Sequence, residues 1–513
     1  MSRAEVPPGS PGVVPERLRP VLDVTAPIAE RFVAAGHRIY LVGGTVRDAI
    51  AGRPGGLEPD ESVDIDLTTT ARPDEIERLL RPAAEAVWTQ GKRFGTIGAL
   101  VNGRRFEITT HRAEAYDPES RRPEVVFGDD VVDDLSRRDF TVNSMALSLP
   151  DLQMIDPFGG LSDLAARLLR TPLDPAVSFS DDPLRMLRAA RFIAGYGLVP
   201  GDGLLAAVSE LRDRLAIVSA ERVREELDKL IVLPSPSAGL WFLVRTGLAS
   251  LFLPELPALE LAQDPIHRHK DVLAHTIAVV EKTSPDKVLR LAALFHDVGK
   301  PRTRHVGPDG VSFHHHDVVG ARMARERMKA LRYPSDEIDQ VEELVRLHLR
   351  FHTYQLGWTD SAVRRYAREA GVLLDKLNEL TRCDCTTRNA NRARALNARM
   401  DELEERISEL RAREELDAIR PELDGNAVMA ELGLSPGREV GEALAYLLQI
   451  RLDEGLVGDD EIRRRLHDWW EAHETTGAAR EAGGAQATEP SGPAGGAQAT
   501  EPSGPAGGGP SGR

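Results

Sequence analysis

Two short stretches near the N-terminus carry the residues best suited to chemistry. They are Leu41-Val-Gly-Gly-Thr-Val-Arg-Asp48 and Val63-Asp-Ile-Asp-Leu-Thr-Thr69. Apolar residues from Ile39 to Val42 predict a strand that runs through the Gly43-Gly44 turn into a helix from about Thr45. Glycines let backbone N–H groups approach a phosphate closely, and a helix N-terminus favours its negative charge. The second stretch alternates, so Val63, Ile65 and Leu67 face a core while Asp64 and Asp66 share the other face of one strand. Two carboxylates on a rigid strand repel each other unless a cation lies between them. The geometry suits two divalent metals about 3.5–4 Å apart, the arrangement for in-line phosphoryl or nucleotidyl transfer. An isolated Asp-x-Asp would be read more simply as the wet side of an edge strand. The Gly-Gly turn and Arg47-Asp48 upstream favour the metal-holding reading.

The elements that must position these groups are also legible. Gly95 to Val101 and Arg104 to Thr110 are alternating runs joined by Asn102-Gly103, the strongest short signal for a hairpin. Within the second run Glu107 alternates against Phe106 and Ile108, and it is placed to bring a third carboxylate beside Asp64 and Asp66. Residues 112–128 carry charges, prolines and few apolar anchors, and read as a mobile loop. After about residue 160 the pattern is helical almost throughout. Asp182 to Gly195 is amphipathic, Ser219 is an N-cap for a helix to about Ile231, and Pro234 and Pro236 mark a boundary. Further helices are expected to about Ala472. Residues 1–16 read as a loose arm. The tail from 477 is low-complexity, with Gly483 to Ala494 repeated as Gly495 to Ala506, and is expected to be disordered.

The chain has 513 residues, enough for several cores, and a net charge of −16. That charge argues against diffuse, whole-surface binding of nucleic acid but not against a local basic track. No apolar run approaches the roughly 18–20 residues of a membrane span, and no charged-then-apolar leader is evident. The two cysteines, Cys383 and Cys385, are too close for an ordinary disulfide and too few for a cysteine zinc site. A cytoplasmic protein is expected.

Five motifs in order resemble those of the class II tRNA nucleotidyltransferases, the CCA-adding enzymes and the related bacterial poly(A) polymerases. Leu41–Asp48 with Asp64 and Asp66 resembles the first, Arg137-Arg-Asp-Phe-Thr-Val-Asn143 the second and Asp156-Pro-Phe-Gly-Gly-Leu-Ser-Asp163 the third. Asp181-Asp-Pro-Leu-Arg-Met-Leu-Arg-Ala-Ala-Arg-Phe192 resembles the fourth and Ser219-Ala-Glu-Arg-Val-Arg-Glu-Glu226 the fifth. Asp181 stands where that family usually has Glu, and Ser144 where Ala is common. The resemblance implies that Asp64 and Asp66 are catalytic and hold Mg²⁺; Glu107 is added to the catalytic set on the alternation of its own run, against the simpler reading of an exposed strand Glu. It implies nucleotide contacts by Gly43, Gly44, Arg47, Asp48, Arg138, Asp139 and Asn143, with Arg47 and Arg138 on triphosphate oxygens. In the fourth motif Asp182, Arg185, Arg188 and Arg191 fall at three-residue steps, a slowly drifting stripe on one helix face. Cytosine and adenine both present an amine donor beside a ring-nitrogen acceptor, which one carboxylate and one Arg satisfy. Guanine and uracil reverse that order and would leave a buried charge unpaired. Asp182 and Arg185 are therefore assigned to the base, and Arg188 and Arg191 to base or triphosphate.

A second constellation lies in the helical body. Asp271-Val-Leu-Ala-His275, Leu294-Phe-His-Asp-Val-Gly-Lys-Pro301 and Asp384 resemble the HD metal-dependent phosphohydrolase signature. His275, His296, Asp297 and Asp384 are the expected ligands of a divalent or transition metal, and His315 and His348 are candidates for a second ion. Further on, Arg388, Arg392 and Arg399 recur at helical spacing and are candidate RNA contacts, against the simpler reading of a solvated face.

The expectation is an α+β chain: a small nucleotidyltransferase α/β head (17–157), then an all-helical neck (158–233), an HD body (234–395) and a C-terminal helical region (396–476). The function implied is template-independent addition of C and A from CTP and ATP to the tRNA 3′ end, with pyrophosphate release. The alternatives are a poly(A) polymerase or partial CCA-adding enzyme, and an HD phosphohydrolase whose head is a regulatory nucleotide-binding module. A non-catalytic RNA-binding protein is disfavoured by the aspartate pair. No membrane and no protein partner is indicated.

Overall fold

A computed structural model describes residues 16–52, 64–115, 124–261, 271–308, 310–351, 358–385, 390–414 and 420–484. The head is a seven-stranded sheet backed by helices. Its strands are β1 (Ile39–Val42), β2 (Ile65–Thr69), β3 (Ala86–Trp88), β4 (Thr96–Val101), β5 (Arg104–Thr110), β8 (Ala146–Leu149) and β9 (Met154–Ile155). Their order is β3-β4-β5-β2-β1-β8-β9. Only β2 and β5 run parallel, and their register sets Asp66 opposite Glu107. Ile65, Leu67, Phe106 and Ile108 point into the main core, where they meet Val21, Ile28 and Phe32 of helix α1 (Arg19–Ala34). The alternation thus sends the carboxylates to the other face, as the sequence implies for Ile65 and Leu67; Val63 lies outside the described residues. The β4–β5 hairpin turns on Asn102 (φ 51°) and Gly103 (φ 69°), both left-handed as a two-residue type I′ turn requires.

Helix α2 (Gly44–Ala51) follows β1, and α3 (Pro73–Leu80) covers the main core. One expectation in the head is corrected. Residues 112–128 are not simply a loop, because β6 (Arg112–Ala115) and β7 (Glu124–Phe127) pair as an antiparallel ribbon. The charges and prolines that suggested a loop lie mainly between the two strands.

Helix α4 (Val131–Ser136) leads to the second motif. The neck then contains α5 (Gly160–Ala166), α6 (Pro175–Asp181), α7 (Leu184–Tyr196), α8 (Leu204–Leu211) and α9 (Ala220–Ile231). Ser219 is the N-cap of α9, although its side chain makes no capping bond. The helical part also holds two short strand pairs that periodicity does not reveal: β10 (Leu168–Leu169) with β11 (Val199–Pro200), and β12 (Arg304–Gly307) with β13 (Gly310–Phe313). Arg290, in the helix Lys287–Phe295, is almost wholly buried and donates to the carbonyls of Ile231, Leu233, Pro234 and Thr283. It thereby satisfies acceptors at the end of α9 and ties neck to body.

The chain divides into two compact units, residues up to 357 with 369–405, and 358–368 with residues from 406 on. The second unit has its own core of Leu423, Val428, Ala443, Leu447, Ile462 and Leu466. Its last helix is Asp459–Gly484, longer than the end near Ala472 expected from the sequence. Alanine, glutamate and arginine after Thr476 sustain helix despite Gly477. Among the described residues no helix is long and apolar enough to cross a membrane.

His111 follows β5 and is fully buried, its Nδ1 2.8 Å from Thr68 Oγ1 on β2. Burial pulls its pKa down to about 4, with Arg38 adding to the fall and Asp134, Asp130 and Asp129 opposing it. The native state therefore binds fewer protons than the unfolded chain between the two pKa values. Stability is complete above the unfolded value near 6.5 and is lost as pH falls toward 4, by about 3 kcal/mol. Urea melts between pH 7.5 and 4 are expected to show this loss, and His111→Gln is expected to flatten it; an equal slope in both proteins would remove His111 as its source.

Candidate active site

Gly43 closes the turn between β1 and α2 with φ 74° and ψ −140°, a conformation essentially confined to glycine. A Cβ there would lie 3.0 Å from Asp66 Oδ2 and 3.2 Å from Arg138 Nη1. The turn, the β2 carboxylate and one guanidinium thus meet at a single point. Burial pushes the Asp66 carboxyl up from its ordinary range; Arg138 pulls it back and Asp64 adds to the rise. Glu107 is raised in the same sense, first by its surroundings and then by Asp66 and Asp64. Two raised carboxyls, Asp66 and Glu107, with the Asp64 carboxylate acting on both, are a donor set short of positive charge, and they fit a divalent cation. Asp64 itself is exposed at the start of the strand.

The structure separates the arginines expected at the triphosphate. Arg138 stands beside Gly43 and Asp66, while its neighbour Arg137 is held on the buried carboxylate of Asp134 at 2.8 Å. Arg47 is engaged elsewhere: its Nε and Nη2 each donate to Asp48 at 2.8 Å, and Nη1 donates to Asn143 Oδ1 at 2.5 Å. Its guanidinium carbon lies 4.3 Å from the ring centroid of Tyr196 and 5.2 Å from that of Phe192. In this arrangement Arg47 braces the head against the neck.

The second and fourth motifs are joined by a buried ionic chain. Asp139 accepts from Asn143 Nδ2 at 2.8 Å and from Arg188 Nε at 2.8 Å. Burial opposes its ionisation, but Arg188 and Asn143 outweigh this and hold its carboxyl below the ordinary range. Arg188 also reaches Glu226 at 3.5 Å, and Arg191 Nε donates to Glu226 at 2.8 Å. The stripe read from the sequence therefore divides. Arg188 and Arg191 serve carboxylates, whereas Asp182 and Arg185 lie at the start of α7. Asp182 Oδ1 accepts from Leu184 N, the first residue of that helix, and its other oxygen is 3.4 Å from Arg222. Arg185 Nη1 donates to Ser178 Oγ at 2.9 Å, and its Nη2 donates to the carbonyl of Arg137. Glu226, within the fifth motif, received no role from the sequence; its value as a partner depends on a contact between distant helices.

In the body, His275, His296, Asp297 and Asp384 converge. His275 Nε2 is 2.8 Å from Asp384 Oδ1 and 3.6 Å from Asp297 Oδ2, and His296 Nε2 is 3.3 Å from Asp297 Oδ2. His316 Nε2 lies 3.4 Å from the other oxygen of Asp297, and with His348 completes a second group about the same carboxylate. The expected His315 is corrected to His316. His315 is the exposed left-handed N-cap (φ 58°), and the helix His316–Ala330 begins one residue later and turns His316 inward. The Nδ1–H groups of His296, His316 and His348 donate to the carbonyls of Ala293, Phe313 and Val345 at 2.6–2.7 Å. Their Nε2 atoms are buried and make no well-aligned hydrogen bond among the described residues, those of His296 and His316 lying 3.3 and 3.4 Å from the Asp297 carboxylate. Imidazoles oriented by a backbone bond on one nitrogen, with the other buried and unmatched, fit metal ions on both sides of Asp297. Burial opposes a charge on His296, yet Asp297 and Asp384 hold its pKa up at about 10. Lys300 Nζ, 2.6 Å from Asp297 Oδ2, was not anticipated.

Of the candidate RNA contacts, Arg399 is exposed on the helix Ala390–Glu414, about 5.9 Å from the Phe351 ring. Arg392 is on the same helix, and Arg388 lies outside the described residues.

A carboxylate-bearing sheet beside a glycine turn, followed by a helical neck, defines a nucleotidyltransferase. Residues 39–170 match the poly A polymerase head domain, 202–259 the probable RNA and SrmB-binding site of polymerase A, and 272–409 the HD domain. The chain is 34% identical over 455 residues to an A-adding tRNA nucleotidyltransferase of Deinococcus radiodurans, a match covering 85% of this chain and 96% of that one. On that match the chain belongs to the tRNA nucleotidyltransferase family. It is also 38% identical over 234 residues to a CCA-adding enzyme of Bacillus velezensis, covering 45% of this chain and 55% of the relative. Its fold is like that of the Bacillus stearothermophilus CCA-adding enzyme solved with CTP, with TM-score 0.65, 22% identity and coverage of 90% and 99% of the two chains.

Gly43→Ala tests the close approach at the turn. The backbone strain alone is about 1–3 kcal/mol, and the new methyl group crowds Asp66 and Arg138. Nucleotide addition is expected to fall by at least about 10-fold while the circular dichroism spectrum and metal content of the HD body stay unchanged. Full activity in a folded Gly43→Ala protein would show that nothing closes on that turn.

Proposed function

We propose that this chain adds C and A residues, without a nucleic-acid template, to the 3′ end of tRNA from CTP and ATP. The observation that carries the reading is that Asp66 and Arg138 converge on Gly43 while Glu107 stands in register with Asp66 across the β2–β5 pair. Asp64, Asp66 and Glu107 would hold Mg²⁺, which when bound supplies the positive charge that favours attack of the RNA 3′-hydroxyl on the α-phosphate and departure of pyrophosphate. Gly43 and Gly44 let the backbone close on the triphosphate, and Arg138 offers it a fork of donors. Asp182 accepts from the exocyclic amine of cytosine or adenine, and Arg185 donates to the adjacent ring nitrogen. Its bonds to Ser178 and the Arg137 carbonyl fix the plane of the Arg185 guanidinium. Arg47, Asp48, Asp139, Asn143, Arg188 and Arg191 shape the nucleotide site largely by holding one another. Exposed Arg399, with Arg388 and Arg392, is a track for the tRNA backbone, and the cytoplasm is the place of action.

A second reading has one specific observation behind it: the relative matched along 96% of its length is named as an A-adding enzyme. Incubation with tRNA lacking all three terminal nucleotides, and with tRNA ending in CC, separates the two. CTP and ATP together are expected to extend the first by three nucleotides and stop. Extension of only the CC-ended tRNA, by ATP alone, would establish A addition. Long A tails would establish a poly(A) polymerase.

Base choice by protein alone makes a sharper prediction. Asp182→Ala or Arg185→Ala is expected to relax selectivity against GTP and UTP by about 10- to 150-fold, since a charged pair of this kind is worth roughly 1.5–3 kcal/mol. Unchanged discrimination in both variants would contradict the assignment.

In the body, His275, His296, Asp297 and Asp384 would hold a divalent or transition metal, and His316 and His348 a second on the same carboxylate. Such a site supplies Lewis acidity for hydrolysis of a phosphate ester. His296→Ala/Asp297→Ala is expected to lose the bound transition metal, measured by elemental analysis, together with any phosphodiesterase or phosphatase activity, while nucleotide addition persists. Retention of the same metal would show the assignment wrong; an unfolded double variant would mark the cluster as structural.

A further inference from the structure

Tyr196 ends helix α7, about 20 Å along the axis from the turn that carries Asp182 and Arg185. Its hydroxyl donates to Asp48 Oδ1 at 2.9 Å, and Asp48 is a residue of α2, the helix that begins at the Gly43-Gly44 turn. Its ring stacks on Phe192 with centroids 5.3 Å apart and planes 18° from parallel, and both rings lie against the Arg47 guanidinium. Phe192 in turn packs on Phe140 of the second motif at 5.2 Å. Arg47 is thus held in its own plane by Asp48 and Asn143 and across that plane by the two rings. One end of α7 is fastened to the helix of the phosphate turn, and the other end presents the groups read here as selecting the base.

We propose that Tyr196 is a positioning residue for nucleotide selection. It fixes the separation between the phosphate turn and the Asp182–Arg185 pair, so that only a base meeting both groups is held with its α-phosphate in place. The inference rests on the reading of Asp182 and Arg185 as base contacts. The ring and the hydroxyl contribute separately: stacking and the cation–π contact hold α7 against Arg47, and the hydrogen bond sets its register on Asp48. A hydroxyl-free aromatic should keep the first contribution and lose the second, and an aliphatic residue should lose both. Both groups act on Asp48, Arg47 and Phe192 and are assigned no contact with nucleotide, so the phosphate turn itself should survive the substitution.

The test uses full-length Tyr196→Phe and Tyr196→Leu with tRNA, all four nucleoside triphosphates, and inorganic tripolyphosphate as a competitive inhibitor that probes the phosphate half alone. Tyr196→Leu is expected to raise KM for CTP and ATP and to lower their preference over GTP and UTP by about 10- to 100-fold, the scale of a misplacement of about 1 Å. Tyr196→Phe is expected to fall between this and the parent. The inhibition constant of tripolyphosphate should stay unchanged in both, with melting temperatures measured alongside. Unchanged selectivity in folded Tyr196→Leu, when Asp182→Ala has lost it, overturns the proposal alone. A tripolyphosphate constant that rises in step with the nucleotide KM also overturns it, because the residue would then merely support the turn. Intact discrimination in Asp182→Ala and Arg185→Ala overturns the base-reading assignment and the proposal with it.

Discussion

Asp66 and Glu107 stand opposite each other in register across two parallel strands, with Asp64 immediately ahead of β2, and like charges so placed repel unless a cation lies among them. The surroundings of the sheet answer to that repulsion. The main core locks the β2–β5 register from one face through Ile65, Leu67, Phe106 and Ile108, so the carboxylates cannot move apart. Arg138 supplies partial compensation, and its own place is secured by the buried Asp134, which lies 3.6 Å from Arg138 and 2.8 Å from Arg137. A site left short of positive charge, beside a turn that only glycine can make, fits a divalent cation and, in the function proposed, the triphosphate that comes with it.

Three other arginines of the site are spent on carboxylates of the protein, one of them also on a carboxamide. Arg47 closes on Asp48 and Asn143, Arg188 on Asp139, and Arg191 on Glu226. Buried pairs of this kind add little net stability, because desolvation offsets the attraction, but breaking one leaves a charge stranded. Their consequence is geometric: the carboxylates and glycine turn of the head and the Asp182–Arg185 end of α7, proposed to take the phosphates and the base, are held in one frame. A template-free polymerase needs that frame, since no base pair is available to set the position of the incoming nucleotide.

Much of this was legible in the sequence where the signal is local. The alternation of Val63 to Leu67 and Phe106 to Ile108 gave the faces of β2 and β5, Asn102-Gly103 gave the hairpin, and the glycine pair gave the turn. Partners distant in sequence were not legible. Arg47 and Asn143 are 96 residues apart, and no periodicity tells an arginine bound for phosphate from one bound for a carboxamide. Three consecutive histidines, 314 to 316, offer no phase, so the choice of His316 over His315 waited on where the following helix begins. Composition misread 112–128 because the charged residues between β6 and β7 outweighed the short strands at its ends. Tyr196 closes a helix, and its relation to Asp48, 148 residues away, exists only in the folded chain.

The central claim is that the head carboxylates form one cation site on which nucleotide binding depends. Mn²⁺ binding followed by electron paramagnetic resonance, in the presence of CTP and in a His296→Ala/Asp297→Ala background that removes the body's site, tests it most directly. The account predicts a class of bound Mn²⁺ that appears with CTP, is lost in Asp66→Asn and is weakened in Glu107→Gln. Equal CTP-dependent Mn²⁺ binding in the parent and in Asp66→Asn would contradict it.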